Sequence, residues 1–442
     1  MLLKQLYPGN LFFKILGALV LLFVAAWVYP PLLGWVKLVL AAFAGMVLLD
    51  GWVLFRNREA FFARRTLPEK LSNGDDNKIT IELESRYPFA TRLQIIDEAP
   101  LQFQLRHLLF TTQLPPAGVQ KVVYHLRPTQ RGQYQFNNTH VFVQTRLQLL
   151  NRRFTFQHPE TVPVYPSYIQ MRQYELMAIS NRLHELGVKK IRRLGHNIEF
   201  EQIREYVTGD DYRTINWKAT ARKNNLMVNR YQDEKSQEVY SIIDKGRVMK
   251  MPFNRMSLLD YAINAALVIS NIAIKKGDKA GIITFAHQMG SILPAGNRGR
   301  QMHDILELLY KENTQFLESD YEKLFVTIRR KLNRRSLLLL YTNFETLAAL
   351  KRQLNFLRRI ALQHVLVVVF FENTELQQLL NKPAQTLQEV YQKTIAEKFD
   401  FEKKLIVKEL QSYGIFSILT PPEHLTVNTI NKYLELKARG II

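Results

Sequence analysis

The chain begins with two almost unbroken apolar runs. Residues 11–29 read LFFKILGALVLLFVAAWVY, and after Pro30-Pro31 residues 32–55 read LLGWVKLVLAAFAGMVLLDGWVLF. Each reaches the roughly 20 residues that an α-helix needs to cross about 30 Å of hydrocarbon, so they predict a two-span transmembrane hairpin within residues 1–57. Trp27, Tyr29, Trp35 and Trp52 fall where interfacial aromatics sit; Lys37 can snorkel, and Lys14 and Asp50 are expected near the headgroups. A cleaved signal peptide is disfavoured for the first run, because no small-residue cleavage site follows and a second run comes at once. Lys4 precedes the spans and Arg56, Arg58, Arg64 and Arg65 follow them. The positive-inside rule then expects both ends, and everything after residue 56, in the cytoplasm.

A period-two alternation in short apolar runs follows, at residues 78–85, 91–97, 121–128, 132–136 and 140–145. Turn formers such as Pro115-Pro116, Arg131-Gly132 and Asn137-Asn138 separate the runs, which predicts a β-sandwich-like module over residues 76–166. Residues 167–235 read as a helical linker, with the basic cluster Lys189, Lys190, Arg192 and Arg193, and then a polar segment. From 236 to 442 strand and helix patterns alternate, predicting a doubly wound, Rossmann-like α/β domain with a mostly parallel sheet. Its strands are expected at 239–244, 280–285, 336–341, 364–371 and 415–419, and its helices at 257–275, 302–309, 321–332, 347–360, 386–413 and 425–438. Ser257 and Asp260 form a capping start for the first of these helices. In such sheets ligands sit beyond the carboxyl ends of the strands, where Asp244 falls.

Charge changes the picture next. The 442 residues carry 60 Lys and Arg against 39 Asp and Glu, a net charge of +21, spread without long basic runs. A dispersed charge favours an anionic membrane surface or an acidic protein partner over nucleic acid, whose footprint is normally a local patch. The chain has no cysteine, which excludes disulfides, thiolate zinc sites and a cysteine nucleophile.

Candidate chemistry concentrates in residues 201–244. Gly209 permits a sharp turn, and Asp210 or Asp211 can cap the helical turn after it. Arg213, Trp217 and Arg222, spaced by four and five residues, are expected to share one side of a helix reaching Lys223, with a guanidinium stacked on Trp217. Arg204, Glu205 and Glu234 complete the polar set. Three readings stand: a capped turn whose Asp–Arg pairs fix two domains, a partner-binding surface, or an active site using Glu205, Asp210 and Asp211 as acids, bases or ligands for an added metal. Against the last, no His, Ser nucleophile or metal-ligand cluster stands at a useful spacing, and His196 alone reads as structural or exposed.

Residues 195–222, GHNIEFEQIREYVTGDDYRTINWKATAR, continued by LMVNRYQDE and the strand ending at Asp244, resemble the signature of the bacterial domain-of-unknown-function family 58. The family's layout of two spans, a β-rich module, this signature and a von Willebrand factor A-like domain is similar to essentially the whole chain. The resemblance implies a bacterial inner-membrane protein whose partners are MoxR-type AAA+ ATPases and other von Willebrand factor A proteins, with a role in assembly or maturation of partner proteins; no cofactor is implied. A metal-binding von Willebrand factor A domain has Asp-x-Ser-x-Ser after its first strand, giving one carboxylate and two hydroxyls to Mg²⁺. Here the row is Asp244-Lys245-Gly246-Arg247-Val248, and Thr342-Asn343-Phe344-Glu345 follows a later strand without an aspartate at the loop start. The expectation is a degenerate metal site at Asp244, no bound metal, and Asp244 paired with Lys245, Arg247 or a guanidine of the signature. The leading expectation for function is a membrane-anchored, non-catalytic adaptor. The alternatives are a hydrolase-like enzyme using the signature acids, and a binder of nucleic acid or anionic lipid through the basic surface.

Overall fold

The two apolar runs form helices, and strands of the β-rich unit hold both of their outer ends. The computed structural model describes residues 5–57, 59–105, 108–179, 199–208, 210–232, 236–314, 317–384 and 386–442. Two units are present, Met1–Tyr165 and Pro166–Ile442.

In the first unit, β1 (Leu6–Pro8) leads into α1 (Asn10–Val28), and a turn at Pro30 and Pro31 leads into α2 (Leu33–Phe55). Both helices are long and apolar enough to cross a membrane, and most of their side chains face outward, including Trp27, Trp35 and Trp52. The strands that follow are β2 (Phe61–Thr66), β3 (Leu71–Ser72), β4 (Asn77–Ser85), β5 (Thr91–Asp97), β6 (Leu109–Leu114), β7 (Val119–Leu126), β8 (Gly132–Phe136), β9 (Thr139–Gln144), β10 (Leu150–Phe156) and β11 (Glu160–Tyr165). They form sheets of order β1-β10-β9-β5-β6, β2-β4-β7 and β3-β11-β8. Alternate residues point inward, so Ile79, Ile81, Leu83, Leu93, Ile95, Val141 and Val143 make the core, as period two requires. The β-rich unit therefore starts before residue 76: β1, β2 and β3 are short or carry Arg and Pro, which blurs their alternation.

Two charged residues lie elsewhere than expected. Asp50 does not reach headgroups; it is 1 % exposed and accepts hydrogen bonds from Thr145 Oγ1 and, at 2.9 Å, from the backbone N–H of Leu150. Arg65 shares the inward face of β2 with Phe61 and Ala63, so its guanidinium is buried, 2.7 Å from Asp97. It also donates to the carbonyls of Asn137 and His158, so it adds nothing to the exposed basic charge.

The second unit holds α3 (Tyr168–Ile179), the hairpin β12 (Glu199–Glu205) and β13 (Met227–Gln232), and between these strands α4 (Trp217–Lys223). The helical linker expected from residue 167 is described as a helix only as far as Ile179; its basic cluster and His196 lie outside the described residues. Then come β14 (Glu238–Asp244), β15 (Pro252–Phe253), β16 (Met256–Ser257), α5 (Leu258–Lys275), β17 (Lys279–Phe285), β18 (Met289–Gly296), α6 (Gln301–Lys311) and α7 (Tyr321–Lys331). The chain ends with β19 (Leu337–Tyr341), α8 (Leu347–Gln363), β20 (Val365–Phe371), α9 (Thr374–Asn381), α10 (Leu387–Ser412), β21 (Phe416–Thr420) and α11 (Leu425–Ala438).

The main sheet has the order β18-β17-β14-β19-β20-β21. Its strands are parallel apart from β18, which runs antiparallel to β17 at the edge. α5 is apolar and long enough to resemble a third membrane span, yet it is buried in this unit, capped by the Ser257 hydroxyl on the Asp260 N–H. Strand order reverses between β14 and β19, so their carboxyl ends open the place where doubly wound sheets hold ligands.

Candidate functional site

The signature forms the tip of the β12–β13 hairpin. Asp210 accepts from the N–H of Val207 at 3.0 Å and pairs with Arg204 at 2.6 Å, closing the turn that leaves β12. Asp211 caps a 3₁₀ turn, Tyr212–Thr214, by accepting from the N–H of Arg213 at 3.0 Å. Asn216 caps α4 through the N–H of Ala219 at 3.0 Å, and the Thr220 hydroxyl accepts from the N–H of Met227 at 3.0 Å, tying α4 back to β13. The polar groups of the tip thus satisfy the backbone ends that a tight turn exposes.

The expected shared helical face is not formed. Arg213 lies in the 3₁₀ turn, and the break at Asn216 separates it from Trp217 and Arg222 on α4. The guanidinium of Arg213 sits over the ring of Tyr212, 5.7 Å from its centroid, rather than over Trp217. Tyr212 and Trp217 remain 70 % and 69 % exposed. Glu205 ends β12 and accepts from Asn225 at 3.4 Å, and Arg222 lies in the last turn of α4, where a cation complements the helix dipole. Gly209 and Glu234 lie outside the described residues. Among the described residues no hydrogen bond or ion pair joins the signature to Asp244, which belongs to a separate site.

Asp244, at the end of β14, is 1 % exposed. Its Oδ1 accepts from Ser319 Oγ and, at 2.8 Å, from the N–H of Gly246. Its Oδ2 accepts from Thr342 Oγ1 at 2.8 Å and from the Tyr321 hydroxyl at 3.4 Å. Burial nevertheless dominates and raises its pKa, because hydrogen bonds alone replace the lost hydration. The expected pairing of Asp244 with a cation is therefore wrong. Lys245 turns instead to Glu312, at 2.6 Å, and the other oxygen of Glu312 accepts from Thr284 at 3.0 Å; Arg247 is exposed.

These residues do not fit the divalent cation that a metal-binding von Willebrand factor A domain holds. Both oxygens of Asp244 are engaged, the neighbouring ammonium is fixed, and Gly246 brings no hydroxyl. A Cβ at Gly246 would stand 2.2 Å from Ser319 Oγ, so a hydroxyl from a distant loop already fills the space of a serine at that position. Among the described residues no three His, Asp or Glu side chains gather as metal ligands.

A second feature at the same end of the sheet has no motif to announce it. A cavity of about 290 Å³ lies beyond β19, β20 and β21, with Asn343, Glu372 and Lys403 in its lining. Burial pushes the Lys403 ammonium down to about 8, and its Nζ donates to Asn343 Oδ1 at 2.8 Å. Glu372 is raised by burial and by the charge of Asp400. The pair Asn343 and Lys403 is 60 residues apart in sequence, so spacing gives no signal for it.

Fold and site thus define a chain with two apolar amino-terminal helices, a β-rich unit, and an α/β unit carrying an exposed aromatic hairpin tip and a closed switch point. The family model "Protein of unknown function DUF58" matches residues 202–400, from β12 into α10. The uncharacterized protein YeaD of Bacillus subtilis (strain 168) is 24 % identical over 261 residues, 56 % of this chain. The match spans 61 % of that relative, less than two thirds of its length. Among solved structures, a PapD-like domain of human CEP192 is 16 % identical with a TM-score of 0.19, covering 24 % of this chain and 87 % of that one. The CARDB domain of a Pyrococcus furiosus protein is 14 % identical with a TM-score of 0.18, covering 24 % and 93 %. Scores this low define no shared fold.

Proposed function

We propose that this chain is a membrane-anchored interaction protein of the bacterial inner membrane that presents a von Willebrand factor A-like domain and its signature hairpin to cytoplasmic partners. The observation that carries the reading is the hairpin tip: Arg204, Asp210 and Asp211 are spent on turn closure, while Tyr212 and Trp217 face solvent. Exposed aromatics on a hydrogen-bonded turn are the composition of a docking anchor. The main sheet supports the von Willebrand factor A-like reading, since the third strand joins the edge antiparallel and the order runs third, second, first, fourth, fifth, sixth. The filled switch point supports a role without metal chemistry.

The partner suggested by the resemblance is a MoxR-type AAA+ ATPase, working on assembly or maturation of other proteins. The full chain, solubilised in detergent and immobilised, is tested for retention of the cognate ATPase with ATP, with ADP and without nucleotide. Nucleotide-dependent retention that Tyr212→Ala/Trp217→Ala removes supports the reading. Retention equal in all conditions, or none, overturns the partner assignment.

A further inference from the structure

The cavity beyond β19, β20 and β21 separates its charges. On its floor, Lys403 gives one hydrogen bond, to Asn343 Oδ1, and keeps two donors in reserve. Asn343 is only 4 % exposed, and its Nδ2 has no hydrogen-bond partner among the described residues. That amide lines a space that an acceptor can enter. Around the rim stand the carboxylates of Glu345, Glu372, Glu375 and Asp400. Lys404 and Gln377 engage Asp400 at 2.7 and 3.0 Å, which leaves Glu372 as the partly buried acid with no such partner shown. Phe253, Leu376 and Phe399 supply apolar wall.

A simple anion on the floor would face four acids, and a simple cation at the rim would face Lys403. A ligand carrying both charges satisfies both ends. We propose that this cavity binds an amino-acid-like zwitterion, with its carboxylate between Lys403 Nζ and Asn343 Nδ2, its ammonium toward Glu372, and its apolar part against Phe253, Leu376 and Phe399. The volume of about 290 Å³ lies at the lower end of small-ligand sites, roughly 300 to 1,000 Å³, which suits a ligand of this size. The same chemistry comes from a free amino acid or from the carboxy-terminal lysine of a peptide. The site is independent of the hairpin tip and of Asp244.

Calorimetry on the full chain in detergent micelles separates the sources. One arm titrates leucine, phenylalanine and lysine; the other titrates a tetrapeptide ending in lysine, as free acid and as amide. Binding in either arm, with the amide inactive, is expected. Lys403→Gln weakens it by roughly 10- to 100-fold, the value of a charge-assisted hydrogen bond. Glu372→Gln weakens leucine binding but leaves 4-methylpentanoate, which lacks the amine, unchanged. With that amine-free analogue affinity falls from about pH 7 to about pH 9, as a lysine pushed down to about 8, faced by Glu345, Glu372, Glu375, Asp400 and Lys404, loses its proton. Unfolding midpoints no lower than the wild type's in both variants exclude misfolding. No heat in either arm at roughly 10 mM ligand, equal binding of acid and amide, or wild-type affinity in both variants overturns the proposal.

Discussion

Lys245 Nζ lies 2.6 Å from Glu312 Oε2 in a buried ion pair, immediately beside Asp244, which has no cationic partner among the described residues. The switch point thus keeps two opposite charges together and one acid apart. Glu312→Gln strands the Lys245 charge and is expected to cost about 3 to 5 kcal/mol, whereas Lys245→Met/Glu312→Leu costs less, because no buried charge is left alone. Denaturant unfolding of both variants checks the order.

Asp244 sets a pH dependence of known sign. Its folded pKa is raised, so the folded state holds the proton more tightly than the unfolded chain. Its contribution to stability is complete below the ordinary aspartate range and declines as pH rises toward the raised folded value. Asp244→Asn is expected to remove that decline, so the variant gains on the wild type as pH goes from about 4 to about 7. Thermal unfolding midpoints across that interval measure it; parallel curves refute it.

Lys403 works in the opposite direction. Its folded pKa is lowered from 10.5 to about 8, so below about 8 the fold carries the cost of a buried ammonium. Stability rises between about 8 and 10.5, where the unfolded chain still holds the proton. Lys403→Met is expected to stabilise the chain at neutral pH by roughly 3 kcal/mol, the fall from 10.5 to about 8 at about 1.4 kcal/mol per pKa step, and the gain shrinks toward pH 10. Chemical denaturation at both pH values reads the difference.

Arg152 ties α2 to the β-rich unit. Its Nη1 donates to the carbonyls of Leu54 at 2.7 Å and Asn57 at 2.6 Å, and its guanidinium lies 4.8 Å from the Phe55 ring centroid and 4.5 Å from that of Phe154. Arg152→Leu takes this donor from the Asn57 carbonyl and leaves the Leu54 carbonyl to the Tyr87 hydroxyl, at about 1 to 3 kcal/mol in all. Faster proteolytic cleavage around residues 56–60 in micelles is the expected result.

Much of the architecture was legible where a pattern is long. The runs at 11–29 and 32–55 exceed any ordinary strand, and the apolar 364–371 reads as an interior strand because both its faces are covered. β18 was not legible, since MGSILPAG contains Pro and two Gly, residues that an edge strand tolerates but a pattern search rejects. At the signature, the capping role of Asp211 followed from turn chemistry, while Asp210 turns back to Val207 and Arg204 instead. The shared face of Arg213, Trp217 and Arg222 did not form, because Asn216 caps a new helix between them. The partners of Asp244 come from residues 319, 321 and 342, and the cavity joins Asn343 to Lys403; such pairings depend on topology and leave no trace in local spacing.

The attachment of the hairpin has a mechanical consequence. β1 is zipped to β10 just ahead of α1, while Asp50, Leu54 and Asn57 are clasped at the end of α2, so both legs of the hairpin are fixed to one body. No slack separates that body from the helices. A load applied to the β-rich unit therefore tilts or lifts both helices together, and the pair acts as a stiff fork rather than a tether.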